Sequence, residues 1–129
     1  KYQFHKKNKT NLTDFTSSEP ITEEQYGLLT AINLEDGKVV WNYQTEQPLI
    51  GGSLSTAGGL TFFGEGNGDL NAVDSKGGEL LWSYHLNAGV NAPPIAYQIE
   101  GKQYIAVVVG GNKIFGFKQG DYISVFALK

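Results

Sequence analysis

Two stretches decide how this chain folds: Gly27-Leu-Leu-Thr-Ala31-Ile-Asn33-Leu-Glu-Asp-Gly37-Lys-Val-Val-Trp41-Asn-Tyr43 and Gly68-Asp-Leu-Asn-Ala72-Val-Asp74-Ser-Lys-Gly-Gly78-Glu-Leu-Leu-Trp82-Ser-Tyr84. Shifted by 41 residues, they match at Gly27/Gly68, Leu29/Leu70, Ala31/Ala72, Gly37/Gly78, Trp41/Trp82 and Tyr43/Tyr84. Between the identities the chemistry is also kept, with Ile32 on Val73, Asn33 on Asp74 and Val39-Val40 on Leu80-Leu81. A weaker third start, Gly120-Asp121-Tyr122-Ile123-Ser124-Val125, follows after a longer gap. A period near 40 residues fits either propeller blades or paired helices, and local chemistry chooses between them.

It chooses strands. The apolar runs are short, rich in β-branched and aromatic residues, and separated by glycine turns, with no sustained 3.6-residue stripe. Expected strands cover 28–34, 38–44, 60–63, 70–74, 79–86, 104–109 and 122–128. Turns fall at Glu35-Asp36-Gly37, Ala57-Gly58-Gly59, Glu65-Gly66-Asn67-Gly68, Ser75-Lys76-Gly77-Gly78 and Glu100-Gly101. Glycine supplies the positive φ that tight hairpins require, so neighbouring runs pair antiparallel. The expected fold is all-β: antiparallel four-stranded blades forming a partial β-propeller, about two full blades plus part of a third, over 27–129 with repeat starts near 27, 68 and 120. Residues 1–26, basic at first and then rich in Ser, Thr, Asp and Glu, are expected to form a loop or extended arm.

Each repeat reads Ala-x-(Asn/Asp)-x-x-x-Gly-x-x-x-Trp. The Asn or Asp side chain closes the turn by accepting backbone N–H groups, glycine completes it, and the return strand carries an indole. A flat ring at the same point of each unit fills the wedge between twisted sheets, with a small alanine to lie on.

Composition sets the outer limits. The chain has 129 residues, enough for one core, with 40% hydrophobic and 18% charged residues, so it packs. Ten lysines against thirteen carboxylates, no arginine and a net charge of −3 leave no basic footprint for nucleic acid. Without cysteine there is no disulfide, thiolate metal site or cysteine nucleophile. No apolar run reaches the roughly 20 residues of a transmembrane helix. The first residue is Lys1, and no signal-peptide core follows, as in a mature chain or a piece of a longer one.

The repeated element resembles the tryptophan-docking motif of the quinoprotein dehydrogenases, eight-bladed β-propellers that hold pyrroloquinoline quinone (PQQ). The resemblance extends to Pro48-Leu49-Ile50-Gly51-Gly52, Thr56-Ala57-Gly58-Gly59-Leu60, Gly89-Val90-Asn91-Ala92-Pro93-Pro94-Ile95, Gly101-Lys102-Gln103-Tyr104 and a closing Gly-Asp-x-x-x-x-Phe-Ala-Leu. In that order these resemble the C-terminal blades of the PQQ-dependent alcohol dehydrogenase branch. The resemblance implies oxidation of alcohols or sugars outside the bacterial cytoplasm, in the periplasm, with electrons passed to a cytochrome c or a membrane quinone. It also implies that Ca²⁺ and the catalytic base are held by residues outside this chain, which alone is then inactive. Val90 and Asn91 correspond to a segment that approaches the cofactor, and Ile50 falls where some relatives place a cofactor-contacting tryptophan. The remaining alternative is a non-catalytic propeller-repeat protein that binds or scaffolds in the bacterial envelope.

Other polar residues read as structural. Asp74 is matched by Asn33 and bonds a turn. Glu65-Gly66-Asn67-Gly68-Asp69 lacks calcium-loop spacing and reads as a hairpin. His5 and His85 carry no partnered metal motif, and Lys1, Lys6, Lys7 and Lys9 form a solvated terminus. Asn8 and Asn11 match the glycosylation pattern by chance. Too few blades are present to close a ring, so the expected partner is the remainder of a propeller or another copy of the chain.

Overall fold

The computed structural model describes residues 2–5, 17–20 and 24–127. Its elements are all strands: β1 (Tyr2–His5), β2 (Ser17–Pro20), β3 (Gly27–Ile32), β4 (Val39–Thr45), β5 (Ser53–Ser55), β6 (Leu60–Gly64), β7 (Asp69–Asp74), β8 (Leu80–His85), β9 (Ile95–Ile99), β10 (Lys102–Val109) and β11 (Tyr122–Ala127). They pair antiparallel throughout, in sheets ordered β1-β2, β3-β4, β5-β6-β7-β8 and β11-β10-β9.

The all-β, partial-propeller expectation holds. Among the described residues one sheet has all four strands, flanked by a two-stranded and a three-stranded sheet. The 41-residue repeat falls on the third and fourth strands of the four-stranded sheet, β7-β8, and on the β3-β4 pair. The third start, near residue 120, falls on β11, which occupies the third-strand position beside β10. Within residues 1–26, β1 and β2 pair antiparallel. Alternation of aromatic and polar residues in Tyr2-Gln3-Phe4-His5 suits a strand, and Pro20 stands at the end of β2, where the missing N–H is tolerated. Asn8, Asn11, the lysines at 1, 6, 7 and 9, and Leu128 lie outside the described residues.

The turn chemistry recurs as the repeat requires. Gly37 N–H donates to the Asn33 carbonyl and Gly78 N–H to the Asp74 carbonyl, both at 2.8 Å. The Asn33 side chain accepts from Glu35 N–H at 2.8 Å, and the Asp74 carboxylate accepts from Lys76 and Gly77 N–H at 3.1 and 2.6 Å. Asp74 is therefore a turn residue. In both copies the ladder shifts just after the alanine, and that alanine faces the tryptophan across the strands: Ala31 opposite Trp41, Ala72 opposite Trp82.

The indoles join sheets. Trp41 of β4 lies against Gly78 in the β7-β8 turn, where a Cβ would fall 2.6 Å from Trp41 Cδ2, and its Nε1–H donates to the Ser75 carbonyl at 3.1 Å. Tyr43 meets Phe63 of β6 edge-on, with ring centroids 5.3 Å apart. Trp82 stacks on Tyr84 and meets Phe126 of β11 at 5.3 Å. Between the blade and the last sheet lies the apolar core of Leu70, Leu86, Ala88, Val90, Val107 and Val109, against which Tyr122 and Phe126 pack. Burying each such side chain contributes roughly 1.5–3 kcal/mol. The outer faces stay open, as expected for an incomplete ring: Leu28, Ile32 and Val40 on the first sheet and Ile95, Ile123 and Val125 on the last are exposed.

Candidate functional site

Connectors and hairpins at one end of the sheets gather around residues 89–91. A glycine there can approach another backbone closely because it has no Cβ. Gly89 N–H donates to the Lys118 carbonyl and the Gly89 carbonyl accepts from Gly111 N–H, both at 2.9 Å, which fixes this strap to the β10-β11 loop. Val90 N–H donates to the Glu65 carbonyl at 2.9 Å, fixing it to the β6-β7 turn. On the other side, Gly51 abuts the strap so closely that a Cβ would lie 3.1 Å from the Asn91 carbonyl carbon and oxygen. Gly52 likewise lies against Pro93, with 2.9 Å between its notional Cβ and the proline Cβ. The segment bearing Ile50 and the segment bearing Asn91, some 40 residues apart in sequence, are thus adjacent in space.

The three sequence-selected residues fare differently. Val90 is fully buried, packed on Gly64 and part of the core, so its side chain serves packing and its backbone positions Asn91. Asn91 is half-buried, and its Nδ2 is a buried donor with no hydrogen-bond partner among the described residues. Ile50 is half-buried and presents an aliphatic side chain beside the strap. Gln47, on the same connector as Ile50, has a buried Oε1 with no hydrogen-bond partner among the described residues, a feature no sequence pattern marked. An orphaned buried donor costs about 1–3 kcal/mol unless something accepts from it, so Asn91 is suited to an oxygen-rich ligand.

Behind the strap lies a polar cluster. Glu65 is 7% exposed, and its Oε1 accepts from Asn71 Nδ2 at 2.5 Å. Burial pushes the Glu65 carboxyl above the ordinary glutamate range; the charge of Asp69 adds to the rise, the Asn71 bond opposes it, and Glu46 adds a further increment. Tyr43 is raised by burial and by the charges of Glu65 and Asp69. His85 Nδ1 is 2.7 Å from Asp69 Oδ1, so it pairs with a carboxylate. No group of three or more metal-ligating side chains occurs among the described residues. A separate apolar cleft of about 550 Å³ lies away from the strap, between Leu60, Phe62 and Trp82 on the blade and Ile105 and Phe126 on the last sheet.

Residues 2–105 match the family of the glucose/ethanol/alcohol dehydrogenase β-propeller domain, the PQQ family. The chain belongs to this family. Its relatives include the quinoprotein ethanol dehydrogenase of Pseudomonas aeruginosa, 41% identical over 88 residues, which cover 68% of this chain and 14% of the relative. The quinoprotein glucose dehydrogenase of Escherichia coli is 33% identical over 129 residues, covering 84% of this chain and 16% of that protein. The solved quinohemoprotein alcohol dehydrogenase of Comamonas testosteroni superposes with a TM-score of 0.70 at 31% identity, over 79% of this chain and 16% of the other. The family chain described here thus spans only about a seventh of its curated relatives' length. Among the described residues no helix is long and apolar enough to cross a membrane.

Proposed function

We propose that this chain is the C-terminal portion of a PQQ-dependent alcohol or sugar dehydrogenase, where it supplies propeller scaffold and one wall of the cofactor pocket. The observation that carries the reading is the juxtaposition of the Ile50 and Asn91 segments, with Asn91 Nδ2 buried and unpartnered at their meeting point. That donor fits an oxygen of an anionic quinone, and Ile50 offers an aliphatic surface to a flat ring. When bound, PQQ supplies the two-electron chemistry of alcohol oxidation.

The chain's own residues position and exclude. Val90 anchors the strap in the core, Glu65 and Lys118 hold it through backbone carbonyls, and Asn91 orients the bound group. No proton acceptor stands beside Asn91 on the strap, and no metal-ligating cluster accompanies it among the described residues. In this reading the base and the Ca²⁺ ligands are supplied by other parts of the enzyme, and a periplasmic location and a cytochrome c acceptor complete the proposal.

The test uses the intact gene product that carries this chain, loaded with PQQ and Ca²⁺. The expected result is a bound-quinone absorbance band and alcohol- or glucose-dependent dye reduction. Replacing Asn91→Ala should weaken PQQ binding about 10-fold, the equivalent of one lost hydrogen bond to a charged group. Failure of the intact protein to bind PQQ would leave a scaffold or binding role in the cell envelope.

A further inference from the structure

Glu65 is a buried acid that the proposed site does not use as a ligand, and its surroundings are unusual. Its carboxyl lies on the face of the blade that meets the first sheet, the face shared by Phe63 and Asn71, against which Tyr43 packs. The groups that act on it are Tyr43 from β4, Glu46 from the following connector, Asp69 and Asn71 from β7, and His85 of β8 through its contact with Asp69. Among the described residues no lysine forms an ion pair with it. Among the described residues its only side-chain hydrogen bond is to a neutral amide. A carboxylate in such a place lacks a counter-ion and faces two others, whereas the neutral acid suits both the burial and the amide. The backbone of the same residue performs a second task, because its carbonyl accepts from Val90 N–H and its neighbours Gly64 and Gly66 pack on Val90 and Phe117.

We propose that Glu65 is a proton-dependent latch: its neutral carboxyl closes the interface between the first sheet and the blade, and its carbonyl passes that state to the strap bearing Asn91. Ionisation draws water to the carboxylate and drives it from Asp69 and Glu46. The turn at residues 65–68 then shifts, and the Val90 hydrogen bond weakens with it. The latch is a property of this chain's own residues and holds whether or not a quinone binds.

The experiment follows thermal unfolding of the chain between pH 4 and pH 8, for wild type and Glu65→Gln. Below the unfolded-state pKa of about 4.3 both folded and unfolded forms carry the proton, and the two proteins differ by a constant. Above it only the folded form retains the proton, so wild type loses stability relative to the glutamine variant until its folded-state pKa is passed. The expected result is a midpoint difference that widens by several degrees in favour of Glu65→Gln and then levels off. Parallel profiles would overturn the latch. Should the variant not fold, a carbon-13 titration of the Glu65 carboxyl in wild type decides: a midpoint above the ordinary glutamate value supports the proposal, one at or below it refutes it. Hydrogen exchange at Val90, corrected for its intrinsic pH dependence, should speed up as Glu65 ionises in wild type; a rate indifferent to that step removes the link to the strap.

Discussion

Gly37 and Gly78 occupy the same place in two copies of one turn, with φ of 69° and 75°, yet only one of them supports another sheet. Nothing lies within 4 Å of a Cβ at Gly37, whereas one at Gly78 would run into the Trp41 ring. Gly37→Ala should therefore cost only the left-handed backbone penalty, about 1–2 kcal/mol. Gly78→Ala should cost about 1–3 kcal/mol more, as the indole is forced off its seat, and urea denaturation of the two variants reads the difference directly. Equal losses would mean that Trp41 has room to move aside. The two indoles make a similar comparison. Trp41 donates to the Ser75 carbonyl, while Trp82 is 37% exposed and its Nε1 has no such acceptor among the described residues. Trp41→Phe should be the more damaging by about 1 kcal/mol, since it alone strands a hydrogen-bonding partner.

At the level of strands, legibility followed side-chain chemistry. The pairs β3-β4 and β7-β8 were visible because alanine, Asn or Asp, glycine and tryptophan each have a distinct task in the turn and wedge. The short β5, Ser53-Leu54-Ser55, offers one apolar residue and no pattern, and β9 begins directly after Pro93-Pro94. Both stand at the ends of their sheets, and neither lies among the strands expected from the sequence. At the site, Ile50 and Asn91 were singled out only through family resemblance, and their adjacency follows from the Gly51 backbone lying against Asn91. The burial of Val90 was not legible, since the space it fills is created by Gly64 on another strand. Glu65 was hidden by its glycine-rich turn, which reads as solvent-exposed until the neighbouring sheet covers it. β11 raises a different issue: Tyr122-Ile-Ser-Val-Phe-Ala127 has no charge or proline and, among the described residues, pairs on one side only. Such an edge templates association. Val125 is exposed, so Val125→Lys should leave the fold intact and lower the concentration-dependent growth in size seen by light scattering. Unchanged self-association would place the sticky surface elsewhere, on the open faces of the first or last sheet.

For the molecule as a whole, the two sheet-to-sheet contacts differ in kind. The first joins β3-β4 to the blade through Trp41 on a turn and Tyr43 on Phe63, with the blade's own Glu65–Asn71 pair on the same face. The second joins the blade to the last sheet through fully buried Leu70, Val90, Val107 and Val109 with an aromatic cover. Apolar burial scales with the area withdrawn from water, so the second contact should be the stronger and the more persistent. Local opening then has an order: β3-β4 should release before the β7-β10 region. Native-state hydrogen exchange tests this, with amides of Leu70, Val107 and Val109 exchanging only at the global unfolding free energy and those of β4 exchanging earlier. Leu70→Ala should lower that global value by about 2–5 kcal/mol, whereas a change at Tyr43 should act chiefly on the first sheet's opening. If β4 were protected as well as β10, the polar interface would be as cohesive as the apolar one. A proton-sensitive Glu65 in the weaker contact gives the hierarchy its consequence, because the strap of residues 89–91 is tied to both: by Val90 to the persistent core, and by the Glu65 carbonyl to the seam that opens first.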